Sequence, residues 1–232
     1  MRNYKKKSIC IIPARGKSKR IPNKNIKSFF GKPIISYVIK AALRSKLFDS
    51  VIISTDNKKI AQISKKFGAK IHNRNSKYAD DYTNTIDVIK HVIEDLDKKK
   101  FFIKVCCIYP TSVFFTKKNL LEAFKKLSKN KNYVFSATKY DHPIYRSFYK
   151  RRKKIHMVFP NMFKKRTQDL FDTFHDAAQF YFGWRNSWIK RKKIFSDKSE
   201  FVELSKFKSQ DIDDLNDWKN AEILWKVKKN FK

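Results

Sequence analysis

Short apolar runs alternate with segments of helical period along most of this chain, and that alternation leaves few architectures open. Ser8–Ile12, Val51–Ser54, Ile103–Tyr109 and Tyr133–Thr138 have the length and the apolar content of buried strands. Between them lie helical patterns. Pro33–Lys46 has Pro33 suited to a first turn and Ile34, Ile35, Val38, Ile39, Ala42 and Leu43 on one broad face. Asn57–Phe67 is a short helix that Gly68 can close. Thr83–Leu96 places Ile86, Ile89, Val92, Ile93 and Leu96 at helical spacing, and Thr116 is placed to cap a helix carrying Leu120, Leu121, Phe124 and Leu127. A last helix is predicted from about Asp214 to Lys228. Strands separated by helices predict an α/β fold: a mostly parallel sheet with helices on both faces. Such sheets take their ligands at the carboxyl ends of the strands.

One segment breaks the rhythm. Lys139–Phe174 is basic and aromatic without a clear period, and reads as a loop-rich arm over the active site or at an oligomer contact. With no internal repeat and no low-complexity linker, the 232 residues are expected to form a single domain, 1–232, with the arm at 139–174.

Charge offers a different function. Lys and Arg total 55 against 21 Asp and Glu, a net charge of +34, and a dense cationic surface binds phosphate polymers. The cations are 44 Lys and only 11 Arg, however, whereas bidentate phosphate and base contacts favour Arg. The excess of Lys, Asn, Ile and Phe is the residue usage of an AT-rich genome, so most lysines read as solvated surface. A basic nucleic-acid-binding protein is the alternative of another class. The 21 Phe, 10 Tyr and 4 Trp exclude a disordered basic tail.

The amino terminus is basic and then apolar for about five residues, short for a signal-peptide core. No run approaches the roughly 18 apolar residues of a membrane span. Cys10, Cys106 and Cys107 lack metal-type spacing and lie in apolar runs, as buried free thiols of a cytoplasmic protein would.

The chain has four glycines. Gly68 follows a helix, Gly183 reads as a turn after an aromatic strand, and Gly31 precedes the Pro33 helix. Gly16 follows the first strand, in a turn from Ala14 to Arg20 that also carries Arg15, Lys17, Ser18 and Lys19. Backbone N–H groups and cations after the first strand of such a sheet make a natural phosphate cradle. The pattern is neither a Walker loop nor a G-x-G-x-x-G fingerprint.

The segment from Ile11 to Asp56 resembles the nucleotide-binding region of the acylneuraminate cytidylyltransferases. Their loop is matched by Pro13, Ala14, Arg15, Ser18, Lys19, Lys24 and Asn25, their G-K-P turn by Gly31, Lys32 and Pro33, and a strand end by Ser54, Thr55 and Asp56. The resemblance implies that Arg15 and Lys24 contact the phosphates of CTP as the catalytic cations. Ala14, Gly16, Ser18, Lys19 and Asn25 hold the nucleotide by the same analogy. Arg74 falls where the family contacts cytidine, with Asp81, Thr83 and Thr85 following it. Tyr109-Pro110-Thr111-Ser112 matches a Q-P-T-S motif, with Tyr in place of the Gln that touches sialic acid. Asp211, Asp213 and the Asp217-Trp218 pair match the family's D-I-D end, whose paired carboxylates hold magnesium. In an extended segment two residues so spaced face one way, which suits a shared Mg2+; the plain alternative is loop acids capping the last helix.

Within the family the closest likeness is to the pseudaminate-activating subgroup. It rests on the Cys106–Thr111 strand, on Pro143–Arg146, on Arg166-Thr167-Gln168-Asp169-Leu170 and on His175-Asp176-Ala177-Ala178-Gln179-Phe180-Tyr181. Sugar-binding residues implied are Tyr109, Gln168, His175, Asp176, Gln179 and Phe180. Lys17 and Ala178 stand where relatives usually have Gly. The activity implied joins CTP to pseudaminic acid, releasing pyrophosphate, for surface-glycan or flagellin glycosylation. Alternatives are N-acetylneuraminate, legionaminate or a deoxy-octulosonate. Tyr109 and the Gln179–Tyr181 strand argue against N-acetylneuraminate. The expected partners are CTP, an acidic nine-carbon sugar and a second copy in a homodimer, with no specific nucleic acid and no membrane.

Overall fold

The computed structural model describes residues 7–205 and 209–230. In chain order they form β1 (Lys7–Pro13), the two-residue strands β2 (Ser28–Phe29) and β3 (Lys32–Pro33), α1 (Ile34–Ser45), β4 (Ser50–Thr55), α2 (Lys58–Lys66), β5 (Lys70–Asn73), α3 (Thr85–Leu96), β6 (Phe102–Ile108), α4 (Lys117–Lys126), β7 (Tyr133–Lys139), β8 (Phe148–Arg151), β9 (Lys154–Met157), β10 (Phe174–Trp184), α5 (Arg185–Ile189), β11 (Ser199–Glu203) and α6 (Leu215–Asn230).

Among the described residues, seven strands make one sheet in the order β11-β7-β10-β6-β1-β4-β5. The β1–β4, β1–β6, β4–β5 and β7–β11 pairs are parallel. Strand β10 runs antiparallel to both β6 and β7. The predicted α/β architecture is therefore present, and the sequence reading omitted the short strands β5 and β11.

Alternation along each strand supplies both faces of the sheet. Ile9 and Ile11 of β1, with Val105 and Cys107 of β6, face α3 and α5. Cys10 and Ile12, with Cys106 and Ile108, face α1, α2, α4 and α6. All three cysteines are buried and free, as expected. Helix starts follow local chemistry. Asn57 accepts the Ile60 N–H at 3.0 Å to cap α2. Thr116 and Asn119 exchange bonds in a capping box at α4. Gly68 closes α2 at φ +91°. The β2–β3 hairpin turns through Phe30 and Gly31, both at positive φ.

Gly183 is not the turn expected of it. It lies inside β10, where an added Cβ would come within 2.6 Å of the Tyr133 ring and 2.7 Å of Trp188 Nε1. The missing side chain lets these two large, fully buried rings meet beneath the sheet, with centroids 5.0 Å apart.

Strand β10 also carries a bulge. Asp176 pairs opposite Ala137 and Tyr181 opposite Phe135, so three extra residues of β10 are accommodated between them. Ala178 sits in the bulge at φ +50°. Its N–H donates to Asp176 Oδ1 at 2.9 Å, while Ser136 Oγ accepts the N–H groups of Gln179 and Phe180. That is the conformation a glycine adopts without penalty.

The arm after β7 contains the β8–β9 hairpin and several single turns. Phe148, Tyr149, Ile155, Phe163 and Phe171 are exposed along it. Among the described residues no helix is long and apolar enough to cross a membrane.

Candidate active site

The carboxyl ends of β1, β5 and β6 open onto a cleft of about 360 Å³. The loop after β1 forms one wall. Asn25, buried, donates to the Arg15 carbonyl at 2.9 Å and so pins the loop to its own far end. Arg15, Ser18, Lys19, Arg20 and Lys24 then line the cleft. The opposite wall is Arg74, Tyr78, Asp80, Asp81, Thr83 and Thr85 from the segment leading into α3, with Tyr109 and Thr111 after β6 behind them.

Two residues of the expected cradle face elsewhere. Ala14 is fully buried, with its N–H on the Ser54 carbonyl. The Gly16 N–H donates to Asp56 Oδ1 at 2.8 Å, and a Cβ there would come within 2.8 Å of the Asn57 side chain. Glycine at 16 thus serves close packing of the loop on the start of α2, and its N–H is taken by protein rather than offered to a ligand. Asp56 is neither cap nor cleft residue; it is the anchor for Gly16.

Charges in the cleft are paired. Arg15 Nη1 lies 2.6 Å and Lys19 Nζ 2.5 Å from Asp81, and Arg15 also donates to the Asp80 carbonyl at 2.7 Å. The Lys19 and Arg15 contacts hold the Asp81 carboxyl below the usual carboxylate range. Arg74 is buried, and desolvation lowers its guanidinium to about 10. Tyr109 is bonded to Thr85 Oγ1 at 3.0 Å, and burial raises its phenol to about 12, so it remains a neutral donor and acceptor at physiological pH.

At the floor, Ile212 is fully buried while its neighbours Asp211 and Asp213 both line the cleft. This is the alternation expected of an extended segment. Lys24 Nζ donates to the Ile212 carbonyl at 2.5 Å and stands 3.5 Å from Asp213, and Arg20 pairs with Asp213 at 2.8 Å. Asp217 accepts the N–H groups of Asp213 and Asp214 at 2.9 and 3.0 Å, fixing the acidic turn. Desolvation, then the charge of Asp213, push the Asp211 carboxyl up. Two close carboxylates in this condition have the donor set of a hard divalent cation, which takes one or two carboxylates and completes its shell with water and phosphate oxygens. The residues present fit such an ion.

A second cavity, of about 680 Å³, adjoins the first and shares Asp211 and Asp213 with it. Thr138, Lys139, Tyr140, Asp141, His142, His175, Asp176 and Gln210 line it. His175 packs on Tyr140, with ring centroids 4.7 Å apart. Asp176 is held by the bulge at Oδ1 and by the Tyr181 hydroxyl at Oδ2, 2.5 Å away.

Three expected sugar contacts are not made within this chain. The Phe180 ring is fully buried in the core between the sheet and Phe115, so it supports the bulge and touches neither cavity. Gln179 is buried and donates to the Ala177 and Gln210 carbonyls, so it braces the acidic segment from behind. Gln168 is exposed on a turn of the arm, away from both cavities. Conversely, Arg20, Tyr78 and the bracing role of Asp217 escaped the sequence reading. Arg20 stands in the same basic loop, and nothing in its spacing singled it out among the other cations.

The sequence profile of the family described as "Cytidylyltransferase" matches residues 9–222. A pseudaminic acid cytidylyltransferase of Campylobacter jejuni is 40% identical over 225 residues, 95% of this chain and 97% of that protein. A two-activity protein of Helicobacter pylori, a pseudaminic acid cytidylyltransferase and UDP-2,4-diacetamido-2,4,6-trideoxy-beta-L-altropyranose hydrolase, is 40% identical over 209 residues, 89% of this chain and 40% of that protein. Among solved structures, a CMP:2-keto-3-deoxy-manno-octonic acid synthetase complexed with CTP superposes with a TM-score of 0.70 at 14% identity, covering 96% of this chain and 99% of that one. At that identity the superposition speaks for the fold alone.

Proposed function

This chain belongs to the cytidylyltransferase family, and we propose that it activates pseudaminic acid: CTP and pseudaminate give CMP-pseudaminate and pyrophosphate. The observation that carries the reading is the meeting of two cavities at one pair of carboxylates, Asp211 and Asp213. A reaction between a nucleotide and a sugar acid needs two sites that touch at the point of bond formation.

In this reading the nucleotide occupies the first cleft. Arg15, Lys19 and Lys24 neutralise its phosphates and the charge that develops on departing pyrophosphate. Arg74, Thr83 and Thr85 face its cytidine end, with Ser18 and Asn25 shaping the loop. The sugar acid occupies the second cavity against His175 and Asp176, while Tyr109 lines the first cleft beside Thr85, and the sugar's anomeric oxygen attacks the α-phosphate in line. Asp211 and Asp213 would hold Mg2+, which would offset the phosphate charge. Lys24, on the Ile212 carbonyl, ties the phosphate loop to these two acids, so both substrates are positioned by one rigid junction.

The exposed apolar side chains of the arm are read as the contact of a homodimer, which would bring Gln168 to the partner's sugar cavity. The reaction belongs in the cytoplasm, where CTP is made. Incubation with CTP, Mg2+ and one sugar acid at a time, with pyrophosphate release as readout, tests the proposal. Release is expected with pseudaminate. Release with N-acetylneuraminate, legionaminate or a deoxy-octulosonate instead would overturn the substrate, and none with any sugar acid would overturn the activity.

A further inference from the structure

Behind the wall of the nucleotide cleft, four polar side chains form an unbroken line. Arg74 Nε lies 3.2 Å from Ser54 Oγ, Ser54 Oγ lies 3.1 Å from His72 Nδ1, and His72 Nε2 lies 3.1 Å from Asp95 Oδ2. Ser54 and His72 are paired residues of the neighbouring strands β4 and β5, Asp95 stands on α3, and Arg74 directly follows β5.

With His72 neutral, donor rules give the direction of each bond in this line. Arginine can only donate, so Ser54 Oγ accepts from Arg74 Nε. At the other end the Asp95 carboxylate can only accept, so a neutral His72 leaves Nδ1 unprotonated, and Nδ1 accepts the Ser54 hydroxyl hydrogen. The ring hydrogen of a neutral His72 therefore sits on Nε2 and points at the Asp95 carboxylate. Burial lowers the affinity of His72 for a second proton, and its neighbours His91 and Arg74 lower it further, against Asp95. A serine, a histidine and an aspartate in a row also suggest a hydrolytic nucleophile, but Ser54 is fully buried and its hydroxyl is engaged on both sides.

We propose that Ser54, His72 and Asp95 are positioning residues that hold the Arg74 guanidinium in one orientation at the nucleotide cleft. The Arg74 Nη2 bond to the Ser54 carbonyl, at 2.6 Å, fixes a second corner of the same group. A bare arginine side chain has many rotamers, and ordering it before the ligand arrives removes that entropic cost from binding. The inference rests on the reading of Arg74 as a nucleotide-binding residue.

Titration calorimetry of the whole protein with CTP and Mg2+ tests it. Arg74→Ala and His72→Leu are each expected to weaken CTP binding by about tenfold, the effect of losing a charge-assisted bond. His72→Gln, whose amide can accept from Ser54 and donate to Asp95, is expected to stay within about threefold of the parent. The double variant Arg74→Ala/His72→Leu is expected to bind no more weakly than Arg74→Ala alone, because His72 acts through Arg74. A purely structural histidine would instead lower thermal stability without changing CTP affinity, or add its loss to that of Arg74→Ala; either result overturns the proposal. Parent-like affinity in Arg74→Ala overturns the underlying reading of Arg74 and is distinguishable from both. Should His72→Leu not fold, Ser54→Ala carries the same expectation.

Discussion

On one flank of β6 the strands β1, β4 and β5 run parallel and end side by side, and the loops after β1 and β5 converge on the first cleft. On the other flank β10 runs against both neighbours, and the carboxyl end of β7, parallel to β11, borders the second cavity beside it. There a strand also supplies lining from its own bulge: the turn at Ala178 holds Asp176 at Oδ1, and the Tyr181 hydroxyl holds it at Oδ2. The contrast shows two ways of aiming a side chain from a rigid sheet. The loop after a parallel strand gathers cations at the first cleft, whereas a bulged antiparallel strand fixes a few polar groups at the second.

The two flanks meet at the acidic turn, so the largest effect is expected there. Asp213→Asn should lower kcat/KM by about a thousandfold, roughly 4 kcal/mol of transition-state stabilisation, with the fold retained by circular dichroism. Near-parental turnover would remove Asp213 from the metal site. Next comes Gly183→Ala, which forces a methyl group into the Tyr133–Trp188 contact and should cost about 3 kcal/mol in urea unfolding. An effect below 1 kcal/mol would mean that this flank repacks easily and is less rigid than described.

Tyr181→Phe separates the flanks by function. It removes the donor on Asp176 Oδ2 and should raise KM for the sugar acid about tenfold, leaving KM for CTP within about twofold. Equal changes in both constants would show that the two cavities are not independent. The smallest effect belongs to Ala178→Gly. Relief of positive φ, worth about 1–2 kcal/mol, is offset in part by the greater freedom of unfolded glycine. A net gain of about 0.5 kcal/mol in thermal unfolding is expected, and a loss would show that the Ala178 methyl group makes a contact worth more than its strain.

The same contrast explains what could be read in advance. The parallel flank was legible because each strand is a near-continuous apolar run between amphipathic helices, and because the loop after β1 carries its motif in consecutive residues. β5 escaped because Lys70–Asn73 is four residues long with one buried position, His72. Along β10 the period-two rule failed at the bulge: a regular strand would put Phe180 on the same face as Asp176 and Ala178. The three extra residues reset that phase and send the Phe180 ring into the core. No periodicity argument anticipates such an insertion. Gln168 was placed by its motif, yet Arg166 and Asp169 beside it satisfy each other locally, and a motif does not say which cavity its turn reaches.

Asp81 already sits between Arg15 and Lys19, occupying the place of an anionic guest. In the proposed reading, a phosphate that enters must therefore exchange with a carboxylate tethered to the protein. The exchange keeps both cations pre-aimed while the cleft waits, and it subtracts from the affinity of whatever displaces the tether. A tethered competitor never diffuses away, so it is at hand to take the cations back as soon as pyrophosphate loosens. The ion pair thereby turns a strong polyanion trap into a site suited to turnover.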